Sequence, residues 1–233
     1  TKTNPIKLKK KIFIRNLNFK YKEDGELVLK NVNFEINKGE FFGIYGESGT
    51  GKTTLINILI GLLKTRQIFC DENNIQNNIN SWQKNIGYVS QDTYLIDDTI
   101  KRNIAFGIQD NLIDKFKISN CLEKSQLTDF INFLPNKLES TVGEKGIEIS
   151  GGQKQRIGIA RALYHEPEIL VLDEATSSLD NNTEKNLLNS IKKLRGSKTI
   201  IFVTHKHAII NECDRVLQLE NGKIKYIGEP KKI

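Results

Sequence analysis

The sequence of 233 residues contains no methionine and only three cysteines. Cys70, Cys121 and Cys213 are far apart in the sequence and odd in number, so they indicate neither a disulfide framework nor a metal-binding spacing. We therefore expect reduced thiols in a cytosolic compartment. A chain that begins at Thr1 and lacks methionine is also expected to be a fragment of a longer protein.

Long hydrophobic runs are missing as well. The longest apolar stretch without a charge covers residues 53–63, well short of the roughly 20 residues that a membrane-spanning helix needs. No signal peptide is recognisable. The net charge of +7 could indicate a nucleic-acid or anionic membrane partner, but only residues 7–11 form a lysine cluster. Because the other lysines are dispersed, we favour a solvated basic surface.

Residues 41–53 are the stretch around which the chain is organised. An apolar run at 41–45 predicts a buried strand, and a helical pattern opens at Thr54. The spacing between them is that of a phosphate-binding loop, G-x-x-x-x-G-K-[ST], formed here by Gly46, Glu47, Ser48, Gly49, Thr50, Gly51, Lys52 and Thr53. Glycines let backbone N–H groups approach phosphate oxygens, Lys52 can reach the β- and γ-phosphates, and the Thr53 hydroxyl suits Mg²⁺. An ordinary glycine-rich turn is the alternative, which the strand and helix flanks disfavour.

Polar residues follow three further predicted strands. The apolar segments 86–90, 169–172 and 199–203 end at Gln91, at Asp173 and Glu174, and at His205, respectively. Neighbouring carboxylates at a strand end point to opposite faces, so one could serve Mg²⁺ and the other an attacking water. Solvated acids and a structural histidine are the alternatives. The ligand crevice of an open α/β sheet lies at such strand ends, which favours the functional interpretation.

The remaining segments predict a β-rich start and a helical insertion. Residues 11–37 alternate in polarity, which indicates antiparallel strands. Phe19 and Tyr21 lie on the same face of their strand, where either ring could stack on a purine or simply pack in the sheet.

Helical patterns run from residue 99 to about 134. Ser150, Gly151, Gly152 and Gln153 open a helix that ends near Tyr164, where the N-terminal N–H groups offer a second anion site. We also expect a first helix that ends near Leu63, a helix up to Arg195 and a hairpin turn at Asn221 and Gly222.

In combination, these motifs resemble the nucleotide-binding domain of ATP-binding cassette (ABC) transporters over essentially the whole chain. The matching pieces follow one another in the family's order: Tyr21, 46–53, Gln91, 150–153, 169–174, 177–180 and His205. Residues 99–107 and 141–146 are similar to those of exporter-type half-transporters. Two departures are an isoleucine at 149, where the family usually has leucine, and a segment after Leu63 that is shorter than usual.

The resemblance implies an α/β fold within a single ABC ATPase domain, 1–233. Its parts would be an N-terminal antiparallel β subdomain at 1–40, a P-loop NTPase core with a mostly parallel sheet at 41–91 and 165–233, and a helical subdomain at 92–164.

The resemblance also implies roles for individual residues. Tyr21 would stack on adenine, the phosphate loop with Thr54 would hold the phosphates, and the 150–153 motif would close over ATP bound by a second copy. The implied catalytic residues are Lys52, Glu174 and His205; the implied Mg²⁺ residues are Thr53, Gln91 and Asp173; the implied dimer-interface residues are Ser150, Gly152 and Asp180. Gln91, Gly151 and Gln153 complete the nucleotide-binding set.

The implied function is ATP hydrolysis, with ATP and Mg²⁺ as cofactors, that drives export across a membrane. The implied partners are a second head-to-tail copy and a transmembrane domain fused before Thr1, with no nucleic acid, at the cytoplasmic face of the inner or plasma membrane. An ABC-type ATPase of DNA repair, chromosome maintenance or translation is the alternative. The absence of sustained heptads between Thr53 and Ser150 argues against a coiled-coil repair ATPase, and the 141–146 motif argues against a translation factor.

Overall fold

The computed structural model describes residues 5–143 and 146–230, which form two compact units. The first unit contains residues 5–86, 168–173 and 195–230, and the second contains 87–143, 146–167 and 174–194. Residues 144 and 145 of the exporter-like 141–146 motif lie outside the described residues, as do both ends of the chain.

The chain alternates between strands and helices. The strands are β1 (Lys11–Phe19), β2 (Leu29–Asn37), β3 (Phe41–Tyr45), β4 (Ile68–Cys70), β5 (Asn73–Asn74), β6 (Ile86–Val89), β7 (Asp98–Thr99), β8 (Thr141–Val142), β9 (Ile169–Asp173), β10 (Thr199–Val203), β11 (Arg215–Glu220) and β12 (Lys223–Gly228). The α-helices are α1 (Lys52–Leu59), α2 (Ile79–Lys84), α3 (Ile100–Ile104), α4 (Lys115–Lys124), α5 (Thr128–Phe133), α6 (Gly151–Tyr164), α7 (Asn181–Lys192) and α8 (His207–Ile210). Short 3₁₀-helices cover Ile75–Asn78, Asp110–Leu112 and Lys137–Glu139.

The first unit begins with an antiparallel sheet in the order β2-β1-β4-β5. Ile12 of β1 lies opposite Ile36 of β2 on one side and Cys70 of β4 on the other. Buried residues of β1 and β2 alternate with half-buried or exposed ones, apart from an irregularity between Ile14 and Leu17, as a sheet with one packed face requires. The prediction of antiparallel strands at 11–37 is confirmed.

Five strands of the same unit form a second sheet in the order β12-β11-β3-β10-β9. The strands β11, β3, β10 and β9 are parallel, and β12 pairs antiparallel with β11. Every residue of β3, β10 and β9 is buried, which explains their unbroken apolar sequences. The register places Val203 opposite both Ile44 and Asp173, so the carboxyl ends of these three strands lie along one edge.

Turns in the first unit depend on residues that tolerate a positive φ. The β11–β12 hairpin turns at Asn221 and Gly222, with φ values of 48° and 75°, as the sequence predicts. Helix α1 ends at Leu59 rather than near Leu63. Gly61 adopts a φ of 77°, and the N–H groups of Leu62 and Leu63 donate to the Asn57 carbonyl, which closes the helix earlier.

The second unit is mainly helical, as predicted for residues 99–134. Helix α6 packs against α3 and α4, and the short strands β7 and β8 pair antiparallel. Helix α7 ends at Lys192, before Arg195. None of the helices in the part of the chain that the structure describes combines the length and apolarity needed to cross a membrane.

The three cysteine thiols are buried and free of disulfides. Burial raises the pKa of the Cys70 and Cys213 thiols to about 12, so both remain protonated at neutral pH. These two thiols therefore act as packing groups and not as reactive thiolates.

Candidate functional site

The phosphate loop connects β3 to α1 through three glycines with positive φ. The φ values are 152° at Gly46, 79° at Gly49 and 102° at Gly51. A Cβ atom at Gly46 would lie 2.3 Å from the Leu219 carbonyl oxygen, so a side chain cannot fit there. At Gly49 a Cβ would meet no atom within 4 Å, which leaves the outer side of the loop open. The loop is therefore tightly packed at its start and accessible at its tip.

Lys52 lies across this loop. Its Nζ atom donates to the carbonyl oxygens of Gly46 at 2.8 Å and of Glu47 at 2.7 Å. Thr50 Oγ1 also donates to the Glu47 oxygen, at 2.8 Å, which fixes the turn. The ammonium group is thus held directly over the loop, where it can attract phosphate oxygens.

The start of α1 is suited to an anion. Gly51 is the residue directly before the helix. Among the described residues, no side chain caps the helix start, and the first turn contains no acidic residue. The first N–H groups of a helix lack partners within the helix and carry its positive dipole end. Backbone donors, the dipole and Lys52 therefore converge on the same loop, which fits a polyphosphate.

Tyr21 reaches the same helix from the N-terminal part of the first unit. Its hydroxyl lies 3.0 Å from Thr54 Oγ1, and its side chain is 60% exposed. Phe19 contacts the Tyr21 ring edge-on, with ring centroids 5.2 Å apart and an interplanar angle of 87°. Phe19 is partly covered, so Tyr21 is the more exposed ring of this pair.

The adjacent strand ends carry the other predicted residues of the first unit. Asp173 is the last residue of β9 and only 8% exposed, whereas His205 is exposed two residues after β10. The N–H of Thr204 donates to the Ile44 carbonyl at 3.1 Å, which keeps the His205 segment beside β3. The phosphate loop, Asp173 and His205 therefore share one edge of the sheet.

The donor chemistry in this unit fits Mg²⁺ as part of a nucleotide complex. No group of three His, Cys, Asp or Glu residues that could hold a metal occurs among residues 5–143 and 146–230. Mg²⁺ usually takes one or two protein oxygens and completes its shell with phosphate oxygens and water. The exposed Thr53 side chain and the buried Asp173 carboxylate provide oxygens of that kind.

The second unit contains the 150–153 motif at the start of α6. Ser150 Oγ accepts from the Gln153 N–H at 3.2 Å, and Gln153 Oε1 accepts from the Ser150 N–H at 2.8 Å. This capping box explains the local sequence, because it satisfies two N–H groups at the helix start. Ser150 and Gly151 are exposed, whereas Gly152 is buried.

Asp180 caps the next helix, α7. Its Oδ1 atom accepts from the N–H groups of Asn182 at 3.1 Å and Thr183 at 3.0 Å. The Thr183 N–H, as the largest influence, holds the pKa of the Asp180 carboxyl below its ordinary value. Asp180 is therefore an ionised, exposed group with a structural role in its own chain.

Glu174 follows β9 with a φ of 48°, in the left-handed region. The sequence predicts that Asp173 and Glu174 point to opposite faces because strand residues alternate, but the backbone at Glu174 is not extended. The Ser177 N–H donates to the Glu174 carbonyl at 3.0 Å, which closes a tight turn directly after the strand. The direction of the Glu174 side chain is set by this turn.

One residue that sequence reasoning missed is Gln155. Its side chain is 2% exposed and contacts the backbone of Gln91 and Glu174. A second glutamine shortly after the 150–153 motif is the only signal that the sequence offers, and it does not reveal burial.

The structure thus assembles the predicted site residues in two groups. Tyr21, the phosphate loop with Thr54, Asp173 and His205 belong to the first unit. Gln91, the 150–153 motif, Glu174 and Asp180 belong to the second.

Comparison with known proteins gives a family match. The family model described as ABC transporter matches residues 29–177. The chain is 35% identical over 217 residues to the ATP-dependent lipid A-core flippase of Ralstonia nicotianae, with 91% of the chain covered. It is 38% identical over 227 residues to the multidrug resistance-like ATP-binding protein MdlB of Buchnera aphidicola subsp. Schizaphis graminum, with 96% of the chain covered. The chain spans 37% and 38% of the length of these two relatives.

A solved structure is also similar. A bacterial Atm1-family ABC exporter with ATP bound superimposes with a TM-score of 0.87 at 32% identity. The match covers 94% of this chain and 38% of that one. The predicted α/β fold with a P-loop core, antiparallel strands and a helical part is confirmed.

Proposed function

Because the chain belongs to the ABC transporter family, we propose that it binds and hydrolyses ATP as the nucleotide-binding domain of a membrane exporter. The observation that carries this proposal is the phosphate loop, with Lys52 held over it, on the same sheet edge as Asp173 and His205. The similarity to a flippase, a multidrug resistance-like protein and an exporter supports the transport role over a DNA-repair or translation role.

The nucleotide-binding residues have distinct parts in binding ATP. The Tyr21 ring stacks on adenine, and the N–H groups of 46–53 and Thr54 hold the phosphates. Thr53, Gln91 and Asp173 would hold Mg²⁺. Mg²⁺, when bound, neutralises the charge on the β- and γ-phosphates.

Hydrolysis is an in-line attack of water on the γ-phosphate. Glu174 orients and polarises the water, while Lys52 and His205 stabilise the charge on the transferred group. Little covalent chemistry is required of the protein, so the rate depends on how accurately these groups are positioned.

A second copy completes the site. Ser150, Gly152 and Gln153 of one copy close over the γ-phosphate held by the phosphate loop of the other, with Asp180 at the junction. The exposed position of Ser150 and Gly151 at a helix start supports this arrangement, because it offers donors to an anion from outside the chain. A transmembrane domain fused before Thr1 would place the pair at the cytoplasmic face of the membrane.

The substitution Glu174→Gln tests the proposed chemistry. We expect ATP hydrolysis to slow by roughly 10²–10⁴-fold, because a general base is lost, while ATP binding is retained. Both quantities can be measured on the purified protein, by phosphate release and by nucleotide binding at equilibrium. Glu123→Gln, at an exposed position on α4, is the matched control and should leave both unchanged. Near-normal turnover of Glu174→Gln would exclude the general-base role, and failure of the wild type to bind ATP would contradict the proposed function.

A further inference from the structure

Gln155 lies in the second turn of α6, and its buried amide contacts three other segments of the second unit. Its Nε2 atom lies 3.0 Å from Ser177 Oγ and 3.4 Å from the carbonyl oxygens of both Gln91 and Glu174. Its Oε1 atom accepts from the Ser178 N–H at 3.2 Å. One side chain therefore connects α6 to the Gln91 turn, to Glu174 and to the 177–180 segment.

The chemistry of the amide explains why these contacts constrain the backbone. A glutamine amide has two N–H donors and one oxygen acceptor, and a buried polar group must find partners. Here the partners include two backbone carbonyls and one backbone N–H, none of which can rotate away independently of the main chain. The amide thus fixes main-chain positions, not merely other side chains.

The contact with Glu174 is the most informative one. The left-handed backbone of Glu174, with φ 48°, is unfavourable for a residue with a side chain and persists only where its surroundings hold it. Its carbonyl accepts from the Ser177 N–H at 3.0 Å and lies within reach of Gln155 Nε2. Gln155 therefore helps to hold the backbone conformation that directs the Glu174 side chain.

The same helix packs against the 177–180 segment at its start. A Cβ atom at Gly152 would lie 3.0 Å from the Ser178 carbonyl oxygen, so the helix and this segment are in close contact. Gln155 adds hydrogen bonds to Ser177 and Ser178 one turn further along. The start of α6 is therefore in contact with the 177–180 segment and is connected through Gln155 to the Glu174 carbonyl.

We propose that Gln155 is a positioning residue for ATP hydrolysis, which aligns Glu174 and Gln91 with the 150–153 motif. The inference rests on the proposed function, because it assigns Gln155 to the same reaction. Gln155 touches neither nucleotide nor metal in this role. It acts through the backbone of residues that do, so it affects the chemical step more than ATP affinity.

The test is a pair of substitutions in the full natural chain. Gln155→Leu removes donor and acceptor at similar volume and should lower kcat by roughly 10- to 100-fold, as expected for a misplaced reacting group, with KM for ATP within about twofold of wild type. Gln155→Glu keeps an acceptor for the Ser178 N–H but sets a carboxylate against two carbonyl oxygens. We expect the kcat of Gln155→Glu to be at least as low as that of Gln155→Leu.

Thr93→Val is the matched control. Thr93 Oγ1 is buried next to α6 and makes no hydrogen bond within the part of the chain that the structure describes. Removing it deletes a buried polar atom from the same helix contact without touching the Gln155 network. Its kcat should equal that of wild type.

A double substitution separates positioning from general destabilisation. Ser177→Ala removes the nearest acceptor of the Gln155 amide and should reduce kcat by less than Gln155→Leu does. The double variant should have the same kcat as Gln155→Leu alone, because both changes remove the same contact. Wild-type kcat in Gln155→Leu, or losses of ATP affinity and thermal stability at unchanged kcat, would overturn the inference. An inactive wild-type protein would instead overturn the proposed function itself.

Discussion

Tyr21 is the residue at which the account of ATP binding is easiest to test. Its exposed ring stands beside α1, and stacking of a base on an aromatic ring contributes roughly 1–3 kcal/mol. We expect Tyr21→Ala to raise the Kd for ATP by roughly 5- to 150-fold, which equilibrium titration with a fluorescent nucleotide would measure.

Tyr21→Phe is the control for this prediction. It keeps the ring and loses only the hydroxyl contact with Thr54. We expect an affinity near that of wild type. An equal loss in both variants would show that the hydroxyl, not the ring, contributes the binding energy.

Residue identities were easier to predict from the sequence than residue geometry. The pattern put Phe19 and Tyr21 on one face but could not distinguish them, because exposure depends on which neighbours cover each ring. The left-handed backbone of Glu174 and the burial of the Gln155 amide could not be predicted from the sequence either, since both result from contacts between distant segments.

At the level of elements, the phosphate loop depends on a glycine at its first position. Gly46 has a positive φ and its Cβ would clash with the Leu219 carbonyl at 2.3 Å. Gly46→Ala should therefore cost more than the roughly 1–2 kcal/mol that a left-handed backbone costs a residue with a side chain. The free energy of unfolding, measured in denaturant, reports this loss.

Gly196→Ala is the matched control in the same unit. Gly196 has a φ of 80°, but a Cβ there would meet no atom within 4 Å. Gly196→Ala should therefore lower the free energy of unfolding only by the cost of a left-handed backbone. Equal destabilisation of the two variants would mean that the contact with Leu219 does not constrain the loop.

Buried parallel strands were the elements that the sequence predicted best. The bounds of β3 and β10 agree with the apolar runs at 41–45 and 199–203, because strands covered on both faces need apolar residues throughout. The end of α1 and the short strands β5, β7 and β8 were not predicted. Their bounds depend on turn geometry and on partners far away in the sequence, which periodicity does not contain.

At the level of the whole molecule, the order of the motifs predicted the family and the confirmed fold. The division into subdomains at 1–40 and 92–164 remains a prediction. In the structure, residues 174–194 form one compact unit with the helices of 87–167. This grouping arises from packing between α7, α4 and their neighbours, for which the linear sequence gives no sign.

In the proposed pair each ATP site is composite, with the phosphate loop from one copy and the 150–153 motif from the other. Lys52→Ala removes the first half of a site and Ser150→Arg blocks the second, so each variant alone should be inactive. In a head-to-tail pair of one variant with the other, however, the intact loop of the Ser150→Arg copy faces the intact motif of the Lys52→Ala copy.

The decisive measurement is single-turnover ATP hydrolysis by mixed pairs of these two variants. A pair that combines wild type with the Lys52→Ala, Ser150→Arg double variant has no intact composite site and is the control. We expect the pair of two inactive single variants to regain hydrolysis while the control pair stays inactive. Hydrolysis by the control pair, together with none by the pair of single variants, would show that each site is complete within one copy.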